Sequence, residues 1–159
     1  MDYYFFIKEN KIIGVGQCPC SNEDIQNIET TQEMYNNYVE DNLRYVWDGE
    51  EVIPNPNYEE EAAARHREEL DQLSLTPADV ERALFDAKEM DFDDLKALIV
   101  QHLPQVNLKR LSIEFRARDF YRGAMFGNIR LFDTVGALLG FTPEDMDYLF
   151  LNGSLPDKN

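Results

Sequence analysis

Cys18 and Cys20 are the two thiols of this 159-residue chain, and they stand on either side of Pro19. A Cys-x-Cys pair is too tight for an unstrained disulfide. With no second cysteine pair, and with His66 and His102 far off in sequence, it also lacks the ligand spacing of a zinc site. Reduced thiols, no metal and no cofactor are the expectation. The Gly14-Val15-Gly16 pair would need a helix start and a Lys-Ser/Thr after it to cradle phosphate, and has neither, so it reads as a bulge or a strand end. Asp91, Asp93 and Asp94 invite a calcium reading. An EF-hand loop counted from Asp91 needs glycine sixth and glutamate twelfth, where Lys96 and His102 stand. A solvated helix start explains the three aspartates better. No G-x-S-x-G, Walker loop or H-E-x-x-H occurs. Carboxylates are so abundant that any acid–base pair of them is uninformative, and the expected protein is not an enzyme.

Charge separates the possible partners. Against 31 acidic residues stand 15 basic ones, a formal net charge of −16 with a pI near 4.4. Such a surface repels phosphate backbones and anionic lipid, so neither direct nucleic-acid binding nor membrane binding is expected. No apolar run approaches the ~20 residues of a membrane span, and the N-terminus lacks a basic segment before its apolar patch, which points to a soluble, unexported protein. Lys109, Arg110, Arg116, Arg118, Arg122 and Arg130 nevertheless crowd into one stretch. Their default role is to neutralise neighbouring carboxylates. If Arg116, Arg118, Arg122 and Arg130 are exposed together, they form the partner site. The aromatic and leucine cluster at the C-terminus, with Tyr148 and Phe150, is either a lid on the core or a docking surface, so both join the candidate partner-binding residues. A helix-turn-helix over 138–148 would place Glu144, Asp145 and Asp147 against phosphates, which argues against DNA reading.

The elements that position these side chains are legible in periodicity and caps. Over 107–140, Leu108, Leu111 and Phe115 make one apolar stripe of a helix at 107–122, and Ile113, Ala117, Phe120 and Ala124 make a second on nearly the opposite side, with Arg110, Glu114 and Arg118 at i, i+4 between them. A helix apolar on two sides belongs in the centre of a fold. Upstream, Tyr3 to Ile7 and Ile12 to Val15 read as a hairpin turning at Glu9-Asn10, a short strand falls in 25–30, and Thr31 caps a helix carrying Met34, Tyr35, Tyr38 and Val39. Asp48-Gly49 marks a second hairpin. From Tyr58 a Glu- and Ala-rich helix begins, a solvated or partner-facing connector in its first half, and His66 on it is a solvated side chain. Leu73 to Val80 and Leu139 to Met146 share an L-x-[LF]-T-P-x-D-[VM] pattern: Thr76 and Thr142 as N-caps, Pro77 and Pro143 at N1, Asp79 and Asp145 in the first turn. Asp91 caps another helix. Gly136, inside a helix near 128–139, implies close approach by a neighbour, and Gly140 stops that helix.

Tyr3 to Gly14 (YYFFIKENKIIG), Tyr45 to Pro56 (YVWDGEEVIPNP) and the Glu-rich helix running into Leu73 to Pro77 (LSLTP) give the first half a resemblance to small tail-region proteins of phages and prophages of Gram-positive bacteria. That resemblance implies a β-hairpin module joined to a helical segment, and no catalytic residues. The expected fold is α+β: a hairpin-rich module at 1–56 with one helix, a helical connector at 57–74 and an α-helical bundle at 75–159. The expected function is that of a non-enzymatic phage or prophage interaction protein, an accessory or assembly factor of tail or baseplate. Its partner would be a phage structural or host protein, with homo-oligomers allowed, and its location the host cytoplasm or the virion. The alternative is an acidic inhibitor imitating nucleic acid before a host defence protein, in the manner of an anti-CRISPR protein.

Overall fold

The computed structural model describes residues 1–157, apart from the side chains of Glu114, Arg116 and Ala117. The chain is an α+β protein of small antiparallel sheets and seven helices among the described residues. It divides into two compact units, Met1–Arg65 and His66–Asn159.

The first unit is a three-stranded antiparallel sheet with a helix and a second hairpin. Strands β1 (Tyr3–Lys8) and β2 (Lys11–Gly16) pair through a turn in which Glu9 and Asn10 both adopt left-handed φ values of 49° and 63°. That backbone suits the right-handed twist of the flanking strands. Phe6 pairs with Gly14 and Ile7 with Ile12, leaving Ile13 as the extra residue of a bulge. The glycine pair therefore serves a bulge, and a Cβ on Gly16 would lie 2.6 Å from the Phe6 ring. β3 (Gln26–Thr30) adds to the other side of β1, for the order β2-β1-β3. Thr31 accepts the Met34 amide and starts α1 (Gln32–Glu40). Phe5 is fully buried with its ring 5.3 Å from Tyr38 and 6.0 Å from Tyr45.

β4 (Tyr45–Trp47) and β5 (Val52–Pro54) form the hairpin that Asp48-Gly49 announces: the Asp48 carboxylate accepts the amides of Glu50 and Glu51 at 2.8 Å, and Gly49 has φ 111°. The start of α2 (Tyr58–Asp71) is tied to this unit. Asn55 is buried and donates to the Leu43 carbonyl and to Glu61, while Asp41 accepts from the Tyr58 hydroxyl at 2.8 Å and from Arg65 at 3.0 Å. The first half of the helix expected to be a solvated or partner-facing connector thus has specific polar anchors, and the division between units falls inside it.

The second unit begins at His66, which is exposed. It contains β6 (Ser74–Leu75), α3 (Pro77–Lys88), α4 (Phe92–His102), α5 (Leu108–Ala117), β7 (Phe120–Tyr121), β8 (Met125–Phe126), β9 (Ile129–Arg130), α6 (Leu131–Leu139) and α7 (Pro143–Asn152). β6 pairs with β7, and β8 with β9. The caps fall where composition places them: Thr76 and Thr142 accept from Asp79 and Asp145 amides, Asp91 forms a capping box with Asp94, and Gly140 ends α6 at φ 84°. Met146 packs so closely on α6 that a Cβ on Gly136 would lie 2.9 Å from it. The core carries a run of phenylalanine rings, Phe92 to Phe115, Phe120, Phe132 and Phe150, with successive centroids 4.7–5.6 Å apart.

The two-sided central helix is corrected. α5 stops at Ala117, and Phe120 lies on β7, where its backbone pairs with Leu75. On the helix Leu111 and Phe115 are buried whereas Ile113 is 65% exposed, and of the second stripe Phe120 and Ala124 reach the core from outside the helix. Arg118 follows the helix as its C-cap with extended backbone, and the expected Arg110, Glu114, Arg118 ladder runs through the Glu114 side chain, which lies outside the described residues.

Candidate functional site

Among the described residues, the arginines of the second unit do not gather on one open surface. Arg122 leaves β7 with its backbone amide bonded to the Leu73 carbonyl and with Gly123 bonded to the Asp71 carbonyl, which turns the chain against the end of α2. A Cβ on Gly123 would sit 2.7 Å from that of Asp71, so only glycine allows this approach. The Arg122 guanidinium is consequently taken out of solvent, with 1% of the residue exposed. Its Nε donates to Asp147 at 2.6 Å, and its Nη2 to Asp133 at 2.6 Å and to the Pro143 carbonyl at 3.0 Å.

These contacts belong to a closed cycle. Arg130 donates from Nε to Asp133 at 2.8 Å and from both terminal nitrogens to Asp71 at 2.8 and 3.1 Å. Arg67 reaches Asp71 at 3.0 Å and grips Asp147 in a bidentate pair at 2.9 and 3.0 Å. Each of the three arginines meets two aspartates and each aspartate two arginines, so the ring Arg67–Asp71–Arg130–Asp133–Arg122–Asp147 is neutral. Fork-to-carboxylate geometry of this kind makes the stronger class of charged hydrogen bond.

The hydrogen bonds from Arg130, with the adjacent positive charges, hold Asp71 below the ordinary carboxylate range. For Asp147 partial burial pushes upward, but the bonds from Arg67 and Arg122 outweigh it and the net direction is down. The same bonds raise Arg67, chiefly through Asp147, and Arg130, chiefly through Asp71. Carboxylates held ionised in this way are poor proton acceptors near neutral pH, so the ring is suited to joining elements. It fastens the end of α2, the β7–β8 turn, the start of α6 and α7. Among the described residues, Arg122 Nη1 is buried without a hydrogen-bond partner.

The expected partner residues are therefore dispersed. Arg122 and Arg130 are committed to the ring, which removes Arg122 from any surface and leaves Arg130 half-buried and paired. Phe150 lies in the core with its ring 4.7 Å from Phe132, so it is part of the packing and not of a docking surface. The side chain of Arg116 lies outside the described residues. Arg118 is exposed and lines a hollow of about 360 Å³ together with Tyr121 and Met125. Tyr148 is 45% exposed on the outer face of α7, one turn before Leu151, which is 61% exposed.

Tyr148 also borders a groove of about 390 Å³. Asp86 and Lys88 at the end of α3, Phe141 at the α6–α7 corner and Asp157 in the chain after α7 complete its polar and aromatic lining. No local pattern in the sequence marks it, because it brings together segments more than fifty positions apart. On α5, Lys109 and Arg110 lie one turn before exposed Ile113, with the Arg110 guanidinium 5.8 Å from the Phe126 ring. Among the described residues no group of three or more histidine, cysteine, aspartate or glutamate side chains could hold a metal ion, and both cysteines are free thiols. No helix of the described residues is long and apolar enough to cross a membrane.

Compared with protein-family models, with curated proteins and with solved structures, the chain matches none.

Proposed function

We propose that the protein acts by binding another protein and carries out no reaction of its own. The observation that carries this reading is the outer face of α7, where Tyr148 and Leu151 stand exposed beside a mixed polar and aromatic groove. Large side chains of this type at one surface, rimmed by charge, suit a protein interface. The ring supports the reading from the other direction, since it uses the best-placed carboxylates and guanidiniums of the unit on each other. Within that class, the first-half resemblance favours an accessory or assembly factor of a phage or prophage tail or baseplate. Affinity capture from cells producing virions, with the intact chain as bait, should recover a virion structural protein. Recovery of nucleotides or metabolites alone would sink the proposal. A Tyr148→Ala, Leu151→Ser double variant, folded by circular dichroism, should lose the captured protein.

A second reading has its own observation. The formal charge is −16 and acidic side chains recur along 59–94, with Glu59, Glu60, Glu68 and Glu69 exposed, which is the charge an imitator of nucleic acid would present to a host nucleic-acid-binding protein. Mimicry of that kind should weaken steeply with salt. Affinity unchanged between low and high salt removes it.

A further inference from the structure

Resting on the protein-binding reading, we infer that the groove between the end of α3 and α7 is a receptor for an arginine side chain of the partner. Its lining sorts into three kinds of group. Asp86 and Asp157 supply two carboxylates, and neither is in an ion pair with another described residue. Phe141 supplies an aromatic ring and Tyr148 a second ring with a hydroxyl, while Ala83, Ala87 and Leu155 make an apolar floor. The groove also adjoins the last turn of α3, the negative end of that helix's dipole.

One cation already uses part of this arrangement: the Lys88 ammonium stands 5.0 Å from the centroid of the Phe141 ring. Lys88 makes no ion pair among the described residues, so the ring face is where its charge rests. The aromatic face thus receives a positive group, and the occupant is tethered by a flexible stem. A guanidinium is the better guest, because it is planar, less strongly hydrated than an ammonium, stacks on aromatic faces and can meet a carboxylate with two donors at once. At about 390 Å³ the groove leaves room beside Lys88 for such a side chain, with its methylenes over the apolar floor. On a chain of net charge −16 a basic partner is also favoured at long range. Lys88 then acts as an internal competitor, displaced from Phe141 when an arginine enters.

The test uses the intact protein and three capped tripeptides, acetyl-Gly-Arg-Gly-amide and its lysine and glutamate counterparts, followed by NMR shifts of the Phe141 and Tyr148 rings. Saturable shifts with the arginine peptide, weaker ones with lysine and none with glutamate are expected. An Asp86→Asn, Asp157→Asn double variant should bind roughly tenfold more weakly, the size of two exposed charge contacts. Lys88→Ala should bind more tightly than the parent, which a merely structural lysine would not produce. Equal shifts with all three peptides, no loss in the double variant, or weaker binding by Lys88→Ala would each overturn the assignment. Those outcomes leave the protein-binding reading to the capture experiment, which can succeed with a partner that presents no arginine here.

Discussion

Arg122 shows how a side chain that looks like a surface cation becomes an internal fastener. Its side chain is fully buried against partners that are themselves only partly exposed, so removing it leaves Asp133 and Asp147 short of donors in a shielded place. Arg122→Met keeps the volume and deletes the charge, and breaking one partner of a buried pair costs on the order of 3 kcal/mol. Chemical denaturation of that variant should show a lower midpoint with an unchanged slope, whereas Lys109→Met, at an exposed unpaired position, should leave the midpoint where it was. Two edges of the ring were readable as i, i+4 and i, i+3 spacings, Arg67 to Asp71 and Arg130 to Asp133. The remaining edges join positions 11 to 80 apart, and no local pattern encodes those. Gly123 was the available sign, since a glycine beside an arginine marks a place where backbone must come close.

At the scale of elements, the chain states its boundaries where a boundary has local chemistry. Thr76-Pro77, Thr142-Pro143, Asp91 and Asp48-Gly49 each satisfy backbone groups within a few residues, and each element begins or turns there. The end of α5 has no such signal. Apolar residues at 113, 117, 120 and 124 keep helical spacing past Ala117, but pairing of Phe120 with Leu75 and entry of Arg122 into the ring outweigh the weak propensity of two more helical turns. The cap at α7 has a further duty, because α7 carries both Asp147 of the ring and Tyr148 of the groove. Thr142→Ala removes the acceptor for the Asp145 amide and should cost about 1 kcal/mol. Thermal unfolding of that variant should shift downward, and Thr142→Ser should restore most of the loss.

For the whole molecule the acidic surface and the lowered carboxylates act in opposite directions as pH falls. Asp71 and Asp147 in the second unit are depressed in the folded state, as is Asp41 in the first, which the Arg65 hydrogen bond brings to about 2 from an ordinary 3.8. A depressed carboxylate contributes stability that is present above its unfolded value and disappears as pH falls through the folded one. Neutralising the other carboxylates first relieves the mutual repulsion of a −16 chain. Stability should therefore hold or rise from pH 7 toward the pI near 4.4 and fall steeply below about 3.8. Denaturant midpoints measured across that range check it; a steady decline beginning at pH 6 would contradict it.

The closed cycle of three acids and three bases also has an evolutionary consequence. Removing any single member leaves five, with a surplus charge of the opposite sign. Removing an adjacent acid and base together leaves four that still alternate and still sum to zero. Descendants of this chain should thus lose the ring by adjacent couples, Arg130 with Asp71 or Arg67 with Asp147, and the intermediate sequences with one member missing should be the rare ones.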